Sequence, residues 1–222
     1  MMPVERPRFF DSKNLTVKVC GITNSDDAAR AVEAGADAIG INLFELSKRF
    51  VRLPDAVDWI AEIPVTRIAV VVNADQGLIE SVLASGIFDA IQFHGDESPA
   101  DCAKCGVPWI RAVRVRSPEC LESALAFDTQ WLLLDAFSAG AYGGTGSRVD
   151  WAVAGTFITN HPERSVMLAG GLTVENIAAA VKAVRPFAVD VASGVESSGN
   201  PRKKDPRRMQ EFIRSAKSAA SK

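Results

Sequence analysis

No apolar run in the sequence approaches the ~18 residues needed to cross a bilayer. The opening stretch, "MMPVERPRFFDSKNL", lacks the apolar core and small-residue cleavage pattern of a secretory signal. A soluble, cytoplasmic protein is the expectation, with no membrane partner. Cysteine is scarce: four residues, at 20, 102, 105 and 120, are too few to build a disulfide scaffold in a 222-residue chain that can bury its own core. Cys102-x-x-Cys105 has the spacing of a redox pair or half a zinc site, but no second pair or histidine cluster accompanies it, so both thiols are read as helix-surface or partly buried. Histidine is rarer still, with only His94 and His161 and no carboxylate cluster evident beside them, so no metal is expected. An excess of one charge sign is missing too: 25 basic against 27 acidic residues give no global pull toward nucleic acid or anionic lipid, while leaving room for a small basic pocket.

What the chain does have is a repeat of apolar runs. "VKVC", "AIGINLF", "RIAVVV", "AIQFH", "WIRAVRV", "WLLLDA", "VMLAG" and "FAVDVAS" read as eight strands rich in β-branched residues. Between them lie helical stretches such as "SDDAARAVEAGAD", "PDAVDWIAEI", "NADQGLIESVLASG" and "TVENIAAAVKAV", with polar or proline starts and apolar residues three and four apart. Most strand-to-strand repeats take roughly 20 to 30 residues, a length that suits parallel βα units. Eight such units predict a single-domain α/β fold, the (β/α)8 TIM barrel, over residues 15–222, preceded by an extension at 1–14 that is either disordered or covers the barrel bottom. A doubly wound open sheet is the alternative, but its G-x-G-x-x-G fingerprint is absent after Cys20. In a barrel, functional groups belong at the carboxyl ends of strands and in the loops that follow.

That rule turns strand ends into candidates. Alternation along the first strand puts Val17 and Val19 outward and Lys18 and Cys20 inward. Asp135 ends "WLLLD", where a carboxylate must be hydrogen-bonded, protonated or open to a pocket. A thiolate and a carboxylic acid make a base and an acid. The pairing asks Cys20 to titrate below about 8.5, or to be ionised in the complex, and Asp135 to titrate above about 3.9. Glycine turns at Gly170-Gly171 and at Ser193-Gly194, after strands seven and eight, sit where these barrels commonly bind phosphate. Arg49 offers a planar fork to a carboxylate. Gln92, His94 and Asp190 join the substrate-binding candidates, and Asp96 and Glu97 are read as caps of the following helix. The loop "AFSAGAYGGTGSR" draws attention by its length. The run "KKDPRR" is read as a solvated face, and no nucleic-acid surface is expected.

In combination, "VKVCGIT", "AVEAGADAIG", "SKRFV", "IQFHGDE", "LLLDAF", "YGGTG", "LAGGLTVENI" and "FAVDVASGVE" resemble, in order and from Lys18 onward, the phosphoribosylanthranilate isomerase family of tryptophan biosynthesis. The resemblance implies a βα barrel that rearranges N-(5'-phosphoribosyl)anthranilate to an aminodeoxyribulose phosphate without cofactor. It places the general base on Cys20, the general acid on Asp135, the anthranilate carboxylate on Arg49, the phosphate on Gly170-Gly171 and Ser193-Gly194, and the "YGGTG" loop, with Gly143 and Gly144, beside the acid. Two features depart from the family: "GINLFELSKR" replaces a "GFVF"-type run with a proline before "SKR", and the amino-terminal extension is added. The implied partner is a small molecule carrying a phosphate and an aromatic carboxylate, and the chain is expected as monomer or homodimer. The competing readings are another phosphosugar isomerase or lyase barrel and a non-catalytic metabolite-binding barrel.

Overall fold

The computed structural model describes residues 9–136 and 150–221. Eight strands occupy the eight apolar runs: β1 (Thr16–Cys20), β2 (Ala38–Asn42), β3 (Thr66–Val71), β4 (Ala90–Phe93), β5 (Trp109–Val115), β6 (Trp131–Ala136), β7 (Ser165–Leu168) and β8 (Ala188–Val191). Each pairs in parallel with the next, and β1 also pairs with β8, which closes the barrel and removes the open sheet from consideration. Val17 and Val19 are fully buried among the residues between sheet and helices, as alternation demands, and Lys18 faces inward with no exposed surface.

The helices are α1 (Ser25–Glu33), α2 (Val57–Ala61), α3 (Gln76–Ser85), α4 (Pro99–Cys102), α5 (Pro118–Ala124), α6 (Trp151–Asn160), α7 (Ile177–Val184) and α8 (Pro206–Ala220). Their ends follow local chemistry. Asn24 accepts the Asp27 N–H at 2.8 Å to start α1, and Asp75 accepts the Leu78 N–H at 2.8 Å to start α3. Gly86, in the left-handed region at φ 61°, ends α3. Helix α8 starts from Asp205 with Pro206 in its first turn and buries Met209, Phe212, Ile213 and Ala216, a stripe at three- and four-residue spacing. The proline-led helix expected at 54–63 is shorter than anticipated. Pro54 lies in a 3-10 turn, Leu53–Asp55, and Ala56, at φ −123° and ψ −7°, separates that turn from α2.

Between β8 and α8 the chain forms a small antiparallel hairpin, β9 (Glu196–Ser197) and β10 (Asn200–Lys204). Before β1 a 3-10 turn, Phe9–Asp11, carries Phe9 at 1% exposure into a cluster with Ala38, Ala90 and Ala188, the residues that open β2, β4 and β8. Phe9 meets Phe10 and Phe187 edge-on at 5.2 and 6.1 Å. Residues 9–11 therefore cover the amino-terminal end of the barrel, and the opposite end is left for chemistry.

Candidate active site

Cys20 ends β1 and Asp135 lies one residue from the end of β6, so both occupy the carboxyl-terminal mouth. Asp135 is 5% exposed and is held from two sides. Its Oδ1 accepts the Ala136 N–H at 2.8 Å, and its Oδ2 lies 3.2 Å from His94 Nε2. Gln92 Nε2 sits 2.9 Å from His94 Nδ1. When the Gln92 amide donates to Nδ1, the imidazole proton sits on Nε2 and points at the carboxylate. Turning the amide over reverses the chain, so that Nε2 becomes an acceptor for a protonated Asp135. The Gln92 carbonyl oxygen is buried and has no hydrogen-bond partner among the described residues.

Cys20 has a different environment. Lys18, two residues earlier on the same inward face, places Nζ 2.8 Å from Asp190 Oδ1, and the β1–β8 register sets these two residues opposite each other. Asp190, read from sequence as a substrate contact, here holds Lys18. Of the two conditions set for a base at Cys20, a lowered titration or ionisation in the complex, the surroundings of the thiol do not favour the first. Burial pushes Cys20 up, and the Lys18 charge, the largest opposing influence, does not cancel it. Lys18 itself is held above its ordinary value: burial opposes its charge, and the charges and hydrogen bonds of Asp190 and Cys20 outweigh that opposition.

Arg49, in the loop after β2, reaches the same mouth, and its stem lies over Gly21, immediately after Cys20. Its Nε and Nη2 grip Glu196 Oε1 and Oε2 at 2.5 and 3.1 Å. The fork expected to meet a substrate carboxylate thus already holds a protein carboxylate along its Nε–Nη2 edge, leaving the Nη1–Nη2 edge as the second binding edge. Glu196 is in turn held by Lys204 Nζ at 3.2 Å, and the same ammonium donates to the Ala192 carbonyl at 3.0 Å. Lys204 is 1% exposed. Lys204 departs from the solvated reading of "KKDPRR", while Lys203, Pro206 and Arg207 stay exposed: the Lys204 N–H donates to Asp27 at 2.8 Å, and the next residue, Asp205, caps α8.

The two glycine turns come together at this end. Gly170 and Gly171 adopt φ 77° and 64°, and a side chain at Gly170 would strike Ala136 and approach Asp135 Oδ1 to 3.0 Å. Ser193 and Gly194 open a 3-10 turn, Ser193–Val195, and a side chain at Gly194 would run into Leu172 and Thr173, so the turns after β7 and β8 touch. Asn176, which the sequence reading passed over, pins the first turn, accepting from the Thr173 N–H at 2.9 Å and donating to the Gly171 carbonyl at 2.8 Å. Gly143 and Gly144 lie outside the described residues.

Two further expectations change. Asp96 and Glu97 do not cap the next helix; Ser98 does. Glu97 accepts from Asn73 N, Gly95 N and Arg111 Nη1 at 2.7, 2.9 and 2.8 Å, tying the loops after β3 and β4 to β5, while Asp96 pairs with Arg114. Cys102 and Cys105 are fully buried free thiols rather than surface ones, and burial pushes Cys102 up to about 12. Glu196 and Lys204 were missed as site residues; the only local signal was the position of "VASGVE" at the end of strand eight. Among the described residues, no group of three or more His, Cys, Asp or Glu is arranged to hold a metal ion.

Fold and site together define a single-domain (β/α)8-barrel enzyme whose polar groups gather at the carboxyl mouth of the strands. The sequence profile of N-(5'phosphoribosyl)anthranilate (PRA) isomerase matches residues 17–215. The N-(5'-phosphoribosyl)anthranilate isomerase of Thiobacillus denitrificans is 45% identical over 207 residues, spanning 91% of this chain and 98% of that protein. The crystal structure of phosphoribosyl anthranilate isomerase from Thermotoga maritima superposes with a TM-score of 0.81 at 37% identity, covering 92% of this chain and 99% of that one. A phosphoribosyl anthranilate isomerase in complex with reduced 1-(o-carboxyphenylamino)-1-deoxyribulose 5-phosphate superposes at 0.79, with the same identity and coverage. The chain belongs to the phosphoribosylanthranilate isomerase family.

Proposed function

We propose that this isomerase converts N-(5'-phosphoribosyl)anthranilate to 1-(2-carboxyphenylamino)-1-deoxy-D-ribulose 5-phosphate in tryptophan biosynthesis, with Asp135 as general acid and Cys20 as general base. The reading is carried by the position of the two groups on the inward face of β6 and β1, at one mouth but in separate hydrogen-bonding environments. Asp135 gives its proton to the ribose ring oxygen as the C1–O bond breaks, and the anthranilate nitrogen lone pair forms the C=N bond of a protonated Schiff base. The Cys20 thiolate then takes the proton from C2. The C–H electron pair becomes a C1=C2 bond, the C=N pair returns to nitrogen, and the resulting enolamine tautomerises to the aminoketose. The His94–Gln92 pair supports the acid, since its reversed arrangement offers a protonated Asp135 an acceptor at Nε2.

Binding fixes both ends of the substrate. The free edge of Arg49 takes the anthranilate carboxylate, and the contacting turns at Gly170-Gly171 and Ser193-Gly194 take the phosphate, which holds the reacting carbons between them. Arg49→Met is expected to raise KM by about 10- to 100-fold, the loss of one charge-assisted contact, with a smaller effect on kcat. Fluorescence-monitored turnover of freshly generated substrate measures both. An unchanged KM would remove Arg49 from the binding site, and formation of no aminoketose by the folded parent protein would remove the activity.

A further inference from the structure

The thiol at Cys20 is surrounded by charge from four directions. Lys18 comes from its own strand, Arg49 from the loop after β2, Asp190 from β8, and Glu196 and Lys204 from the β9–β10 hairpin. A partly buried thiolate needs a cation, and the three available are not equivalent. Arg49 spends its Nε–Nη2 edge on Glu196. The Lys204 ammonium is directed at Glu196 and the Ala192 carbonyl, and burial pulls its titration down, which weakens it as a permanent charge. Lys18 remains. It is wholly buried, and it commits one of an ammonium's three N–H groups to Asp190.

Gly40, opposite Cys20 in the β1–β2 register, completes the arrangement. A Cβ at position 40 would lie 2.8 Å from Cys20 Sγ and 3.0 Å from both Cε and Nζ of Lys18. Sulfur and ammonium therefore converge on the same gap, and any larger residue there would drive one of them away. We propose that Lys18 is a positioning residue that holds the Cys20 thiolate, its ammonium steered by Asp190 toward the sulfur across the space left by Gly40. The inference deepens the reading of Cys20 as the base and rests on it for its catalytic meaning. Asp190 has two effects: it orients the Lys18 charge through the hydrogen bond, and its own negative charge opposes ionisation of the thiol. The pair is thus matched to hold a thiolate poised, which suits a base that must take a proton and release it again.

The test is the pH dependence of Cys20 alkylation by iodoacetamide, read by mass spectrometry of the Cys20 peptide in a Cys120→Ser background, since Cys102 and Cys105 are buried. Lys18→Met is expected to move the alkylation midpoint up by about 1 to 2 pH units, to shift the acid limb of kcat/KM by a similar amount, and to lower kcat at neutral pH by about 10- to 100-fold. Lys18→Arg, which keeps the charge, is expected to restore much of the midpoint. Where Lys18→Met leaves Asp190 unpaired and the protein unfolds, the Lys18→Met/Asp190→Asn double variant is read against Asp190→Asn alone, because Asp190 itself pushes the thiol up; the midpoint difference between those two isolates the Lys18 charge and is expected to be upward. An unmoved midpoint in a folded variant overturns the proposal, as does a midpoint that Lys18→Arg fails to move back. Full turnover by Cys20→Ala would instead overturn the base assignment, leaving the alkylation result to decide Lys18, so the two readings fail separately.

Discussion

At the residue scale, the Lys18–Asp190 pair is the costliest feature of the mouth. Two buried charges are tolerated only together, and removing one partner of such a pair costs about 3–5 kcal/mol. Asp190→Asn is expected to lose stability of that order at pH 7.5 in urea unfolding, with the loss shrinking above pH 10.5. The sign follows from Lys18. Its folded titration lies above its ordinary 10.5, so the stability it contributes is complete below that pH and is lost as pH rises through the folded value. An equal deficit at pH 7.5 and pH 11 would show that the pair is not the source. Some of this was legible beforehand: alternation along "VKVC" alone turns Lys18 and Cys20 inward. Their neighbours were not, because Asp190 meets Lys18 only when β8 closes on β1, a contact 172 residues away in the chain.

At the element scale, strands were easier to read than the pieces that decorate them. Eight apolar runs locate all eight strands because burial on both faces makes their sequences continuously apolar. The β9–β10 hairpin escaped notice since "NPRKK" is polar and contains proline, and its role comes from where Lys204 lands rather than from any local pattern. The turn Phe9–Asp11 is a similar case: two adjacent phenylalanines in a polar leader carry no periodicity, yet Phe9 fills the barrel's amino end. Phe9→Ala is expected to cost about 3 kcal/mol, with cavity formation included, and to leave kcat unchanged because the chemistry lies at the other end. Urea midpoints and turnover of the same preparation check this; a fall in kcat with unchanged stability would contradict the placement.

At the scale of the whole molecule, the barrel separates stability from chemistry. Aromatic packing closes the amino end, and ionisable groups drawn from β1, the loops after β2 and β4, β6, β8 and the hairpin meet at the other. Membership of the isomerase family accounts for the reaction class, and the proposed acid and base lie in different surroundings, Asp135 beside an imidazole and Cys20 beside an ammonium. The departure at "GINLFELSKR" leaves Arg49 at the mouth, since Glu196 holds it there. The most direct measurement is kcat for freshly generated N-(5'-phosphoribosyl)anthranilate with Cys20→Ala and Asp135→Asn beside the parent protein. Each variant is expected to lose about 10²- to 10⁴-fold in kcat while KM changes little. Turnover by either variant at the parent's rate would contradict the assignment of the acid and base.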